Sequence, residues 1–144
     1  MIYLDTSFVV SLYSVDANSA PAAVALQAAE LPLLMSSLTE IETVNALGLR
    51  EFRKEISKTE ANVSLRDFEE DLRRGAFQRN ALPESAFSRA RVLSLQSTAR
   101  LGLRTADLLH VAAALEFSSK ALFTFDLRQR KLCSELGLGV NPLP

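Results

Sequence analysis

Met1-Ile2-Tyr3-Leu4-Asp5-Thr6-Ser7 opens the chain: a short apolar run, an acid, then two hydroxyl residues that suit a helix start. The apolar run is too short for a helix and reads as a buried strand with Asp5 at its carboxyl end. The pattern returns far downstream, where Ala121-Leu122-Phe123-Thr124-Phe125 is followed by Asp126 and a helical stretch. In open α/β sheets such strand-to-helix junctions line the carboxyl edge, where ligands bind. A third acid, Asp107, opens a helix that is otherwise almost wholly apolar.

Working outward, the punctuation is brief: Leu31-Pro32, Gly75, Leu82-Pro83, Gly102 and Gly137 to Gly139. Strands are expected at Ile2–Leu4, Leu33–Ser36 and Leu122–Phe125, with a short extension at Phe77–Asn80 and an edge strand at Val140. Helices are expected at Ser7–Val15, Pro21–Glu30, Leu38–Lys54 and Thr59–Arg74, the last as an exposed, charge-rich arm. Three more are expected: Pro83–Arg100, one capped by Thr105 and ending near Phe117, and Leu127–Leu136. Alternation of strand and helix predicts a parallel sheet covered on both faces, with helix outweighing strand.

At 144 residues the chain fits one domain, residues 1–144, large enough for a core without disulfides. The single cysteine, Cys133, forbids an internal disulfide and points to a reducing compartment. The first residues carry no basic stretch and meet an acid at once, so a cytoplasmic protein without a membrane span is expected. A net charge of −1 excludes bulk polycation binding of nucleic acid, though basic residues cluster locally. Arg50, Arg53, Lys54 and Lys58 form one group, Arg73, Arg74 and Arg79 a second, and Arg128, Arg130 and Lys131 a third. Only the third lies near a candidate acid.

Each acid has a plain structural reading. Asp5 and Asp126 are good N-caps, and Asp107 suits a first helical turn. Yet the helix after Asp107 has no polar face, so its carboxylate needs a partner or it protonates. Two carboxylates about 5 Å apart repel by roughly 3 kcal/mol at an effective dielectric near 20. A hard cation such as Mg²⁺ or Mn²⁺ removes that conflict, while one His and one Cys give no zinc spacing. The helix after the second strand offers Glu40 or Glu42, two apart and so on nearly opposite sides. Glu42 shares a side with Leu38, Asn45 and Leu49; Glu40 shares one with Val44, Leu47 and Glu51. His110 reads as a histidine that is packed or that supports one of the acids, Cys133 as inert core, and Ser7, Ser36 and Ser37 as caps.

Four segments, in this order, resemble the PIN domain, and more specifically the VapC-type ribonuclease toxins of prokaryotic toxin–antitoxin pairs. They are Tyr3 to Ser7; Ser37 to Glu42 with Asn45-Ala46-Leu47; Leu103 to Ala114; and Leu122 to Asp126. The third is the most specific, and together they span nearly the whole chain. The resemblance implies a three-layer α/β/α fold around a short-stranded, mostly parallel sheet. It places the family's metal-binding acids on Asp5, Glu42, Asp107 and Asp126, with Glu40 as the alternative to Glu42. Thr124 matches a small polar residue before the fourth acid, and Thr6 stands beside the first. The segment from Ser57 to Arg79 carries no family signature.

The activity implied is Mg²⁺- or Mn²⁺-dependent hydrolysis of RNA phosphodiesters, leaving a 5′-phosphate and a 3′-hydroxyl. Arg104, Arg128, Arg130 and Lys131 are candidates to hold the RNA backbone. A cognate antitoxin and a homodimer are expected, with the helices Pro21–Glu30 and Leu38–Lys54 as docking faces. A second reading is a PIN-like interaction module without turnover. A haloacid-dehalogenase-type phosphatase also begins with a strand ending in Asp, but needs a second Asp where this chain has Ser7.

Overall fold

The computed structural model describes residues 1–30 and 32–142, which leaves Leu31 of the expected Leu31-Pro32 turn outside. Twelve elements run in the order β1 (Ile2–Leu4), α1 (Thr6–Tyr13), α2 (Ser19–Gln27), β2 (Leu33–Ser36), α3 (Ser37–Phe52), α4 (Lys58–Arg74), β3 (Gln78–Asn80), α5 (Ser85–Leu101), α6 (Thr105–Glu116), β4 (Ala121–Phe123), α7 (Leu127–Glu135) and β5 (Gly139–Val140). All strand pairs are parallel, in the order β3-β2-β1-β4-β5. β1 therefore sits at the centre, and the junctions after β1 and β4 are neighbours.

Alternation along the strands builds two cores, because successive side chains leave opposite faces. Ile2, Leu4, Met35 and Phe123 join Phe8 and Val9 of α1, Ala22 and Ala25 of α2, and Phe68 of α4. Tyr3, Leu34 and Leu122 join residues of α5, α6 and α7 on the other side. Each fully buried Phe, Leu or Val contributes about 1.5–3 kcal/mol of transfer free energy. In α6, Asp107 through Ala114 are all buried, and its alanines let α5 pack closely. Gly102, at φ 66°, ends α5 and turns the chain into that buried helix.

Several expectations shift. β4 stops at Phe123, because Thr124 and Phe125 turn their N–H groups to Asn141 Oδ1 and Ser7 Oγ instead of a ladder. α1 ends at Tyr13, two residues early, and Pro21 is the third residue of α2 rather than its opener. Thr105 is the first residue of α6 and Arg104 its cap position. The expected exposed arm, α4, instead packs down through Ala61, Ser64 and Phe68. Phe68 meets Tyr13 edge-on, and the Tyr13 hydroxyl donates to Asp71 at 2.8 Å.

Candidate active site

The carboxyl ends of β1 and β4 open into a cleft of about 490 Å³ lined by Asp5, Glu42, Asp107 and Asp126. Four different elements deliver them: Asp5 ends β1, Glu42 lies on α3, Asp107 opens α6 and Asp126 precedes α7. Glu40 goes elsewhere, paired to Arg79 at 2.6 and 2.8 Å on the surface. Of the two adjacent glutamates, only Glu42 reaches the cleft.

Asp5 is 1% exposed and works as both cap and floor. Its Oδ1 accepts from the Phe8 N–H at 2.9 Å, and Ser7 Oγ donates to both oxygens. Its Oδ2 accepts from Thr124 Oγ1 at 2.7 Å and from Gln129 Nε2 at 3.0 Å. Burial pushes its pKa up, and the nearby His110, Thr124, Phe8 and Ser7 only partly oppose that. A cation beside it would remove the remaining cost.

Asp107, 2% exposed, accepts from the Arg104 N–H at 2.8 Å and from the Arg104 guanidinium at 3.0 and 3.1 Å. The same guanidinium reaches Asp126 Oδ2 at 3.4 Å. Asp126 Oδ1 caps α7 by accepting from the Arg128 and Gln129 N–H groups. Thr124 Oγ1 ties the two strand ends together, accepting from the Asp126 N–H at 3.0 Å while donating to Asp5.

On the opposite wall, Glu42 Oε2 meets His110 Nε2 at 2.6 Å and accepts from Thr6 Oγ1 at 2.8 Å. His110, buried, lies 3.1 Å from the Tyr3 hydroxyl through Nδ1, and Tyr3 lies 2.6 Å from Ser36 Oγ. Thr39 Oγ1 donates to the Leu4 carbonyl and lies 3.3 Å from the Tyr3 hydroxyl, so Ser36, Thr39, Tyr3, His110 and Glu42 form one connected polar chain. The His110 hydrogen bond is the main cause holding the Glu42 carboxyl below its usual range. Burial holds the Tyr3 phenol up at about 12, so it stays a donor.

Among the described residues, no three acids or histidines stand close enough to grip one ion as placed. Arg104 bridges Asp107 to Asp126, and Gln129 Nε2 bridges Asp5 to Asp107, at 3.0 and 3.5 Å. The donor set still fits a hard cation: four carboxylates, with the Gln129 amide oxygen buried beside them and lacking any partner. Sequence reasoning missed Gln129, although it lies one turn beyond Asp126. It also missed Tyr3, whose position between Ile2 and Leu4 sends it to the α6 side.

The candidate RNA contacts divide. Arg104 stands in the cleft. Arg130 is committed to structure, donating to the Thr124 carbonyl and to Asn141. Arg128 donates to the Gly102 carbonyl, and Lys131 is exposed on α7. Arg53, grouped with the α3 cations in the sequence, lines the cleft mouth with Asn45.

The sequence model of the PIN domain matches residues 2–135. The chain belongs to the PIN-domain family. Solved structures similar to this PIN domain include VapC20 of Mycobacterium tuberculosis, a toxin that cleaves the sarcin–ricin loop. That structure has 18% identity, a TM-score of 0.72 and full coverage of both chains. FitAcB from Neisseria gonorrhoeae has 18% identity and a TM-score of 0.67, over 99% of this chain and 97% of that one. VapBC2 of Rickettsia felis, solved with a DNA fragment from its promoter, has 18% identity, a TM-score of 0.67 and full coverage of both. None of the curated proteins compared with this chain matches it. Among the described residues, no helix is long and apolar enough to cross a membrane.

Proposed function

We propose that this PIN domain is a Mg²⁺- or Mn²⁺-dependent endoribonuclease, the toxin half of a VapBC-type pair acting in the cytoplasm. The observation that carries this reading is the meeting of Asp5, Glu42, Asp107 and Asp126 at one cleft, from four separate elements. Asp5 and Asp107, the most buried, would hold the cation, with Glu42 and Asp126 beside them. When bound, the ion would acidify a water and offset charge on the scissile phosphate. Thr124 and Ser7 fix the Asp5 carboxylate, and Thr6 and His110 fix that of Glu42. Arg104, released from Asp107 and Asp126, would turn to an RNA phosphate, where a guanidinium binds well. Products would be a 5′-phosphate and a 3′-hydroxyl.

Exposed apolar side chains on α2, α3 and α5 suit protein partners. Val24 on α2 with Ile41, Val44 and Phe52 on α3 would receive the antitoxin, and Phe87, Val92 and Leu95 on α5 a second copy. The spacing of the acids as placed, bridged by Arg104 and Gln129, favours one alternative, a binding module without turnover. RNA end-mapping with purified protein, in Mn²⁺ and in chelator, separates the two. Metal-dependent cleavage that Asp107→Asn lowers by roughly a hundredfold or more is expected, beyond what losing an outer partner of a metal ligand costs. Cleavage that survives in Asp107→Asn would overturn the nuclease reading.

A further inference from the structure

Gln129 is nearly fully buried at 3% exposure, in a helix whose neighbours Arg128, Arg130 and Lys131 are polar or charged. Burying an amide is unfavourable unless both its ends are used. Here one end is fully engaged and the other is idle. Nε2 donates to Asp5 Oδ2 at 3.0 Å and reaches Asp107 Oδ1 at 3.5 Å. Oε1 has no partner. The amide cannot simply be reversed in this state, because its oxygen would then face two carboxylate oxygens.

We infer that Gln129 is a stand-in for the cation, its N–H donors linking Asp5 and Asp107 when the ion is absent and its carbonyl oxygen joining the ion's shell when it is present. This rests on the cation-dependent reading of the cleft. A terminal amide rotates broadly about its last bond, so a half-turn brings oxygen to the place nitrogen now holds. Hard cations accept amide carbonyls alongside carboxylates, and N–H groups between the same carboxylates would repel the ion. The idle oxygen thus gains a partner in the loaded state. A neutral side chain serves both states, whereas another acid would add repulsion to an already crowded empty site.

Mn²⁺ calorimetry on RNA-free protein, with melting curves in chelator, tests this on Gln129→Met and Gln129→Glu. Gln129→Met, close in size but without donor or carbonyl, is expected to melt lower in chelator and to bind Mn²⁺ roughly tenfold more weakly. Gln129→Glu keeps an oxygen and loses the donors, so it melts lower in chelator yet binds Mn²⁺ at least as tightly as the native protein. A brace that merely competes with the ion gives another pattern: both variants would bind Mn²⁺ as well as, or better than, the native chain. That pattern overturns the inference. Should Gln129→Met fail to fold, weaker Mn²⁺ binding by Gln129→Glu overturns it alone. Native protein that takes up no Mn²⁺ removes the cation-dependent reading itself, a result distinct from either variant pattern.

Discussion

On the α3 wall of the cleft, Glu42 is held by a hydroxyl and a buried imidazole: Thr6, and His110 backed by Tyr3 and Ser36. On the α6–α7 wall, Asp107 and Asp126 are held by a charge, the Arg104 guanidinium. Donors buried in the fold, such as His110, orient a carboxylate and stay in place. A guanidinium cancels a carboxylate's charge, so an entering ion must displace it. On the proposed reading, the two walls would therefore receive a metal differently: one is set, and the other is guarded.

The largest effect that could break this contrast belongs to the α3 wall. His110→Ala strips Glu42 of its strongest support and leaves the buried Tyr3 hydroxyl short of an acceptor, which costs about 1–3 kcal/mol of stability. Mn²⁺ affinity is expected to fall by roughly 10- to 100-fold, read by calorimetry. Tyr3→Phe should follow in the same direction with a smaller loss. If Mn²⁺ binding stays unchanged in both, the α3 wall is only packing.

The guarded wall predicts the opposite sign. Arg104→Gln removes the competing cation, so Mn²⁺ affinity is expected to rise while RNA affinity falls. The slope of log RNA affinity against log salt should drop by roughly one. Weaker Mn²⁺ binding in Arg104→Gln would show that the arginine organises the acids rather than guarding them.

A smaller pair sharpens the division among arginines. Arg53→Ala at the cleft mouth should also lower the salt slope by roughly one, at little cost in stability. Arg130→Ala should leave that slope alone and lower the melting temperature, since its guanidinium holds Thr124 and Asn141 in place.

The last effect is read at alkaline pH. Burial holds the Cys133 thiol and the Tyr3 phenol up at about 12, against ordinary values of 9.0 and 10.0. Both folded-state values are raised, so the fold keeps its full stability below about pH 9 and loses it as pH climbs toward 12. Urea midpoints at pH 8 and pH 10.5 should differ, and Cys133→Ala should reduce the difference.

Much of the fold was legible because strand runs and helix periods differ in length as well as pattern. Ile2–Leu4 and the alanine-rich stretch after Asp107 admit few other readings. β3 was hard to read because Gln78–Asn80 is an exposed edge strand with no apolar alternation. Thr124 and Phe125 looked like strand because their apolar and β-branched character suits one. Their backbone bonds to Ser7 and Asn141 come from distant parts of the chain. At the cleft, helical period could separate Glu40 from Glu42 only into two sides, and three-dimensional packing decides which side faces Asp5. Gln129 hid among charged neighbours, where an amide ordinarily faces solvent. Arg130 misled for the same reason: a cation near an acid in sequence looks like a ligand contact, while its real partners are carbonyls.

Sheet order has a temporal consequence. Asp5 takes two of its hydrogen bonds from Thr124 and Gln129, 119 and 124 positions further along. Synthesis runs from the amino end, so the first acid has only its local partners, Ser7 and Phe8, while most of the chain is translated. The helical hairpin of α5 and α6 has its contacts near at hand, but the central strand gains its β4 neighbour only late. A nascent chain thus lacks a finished cleft until β4 and α7 have both been made.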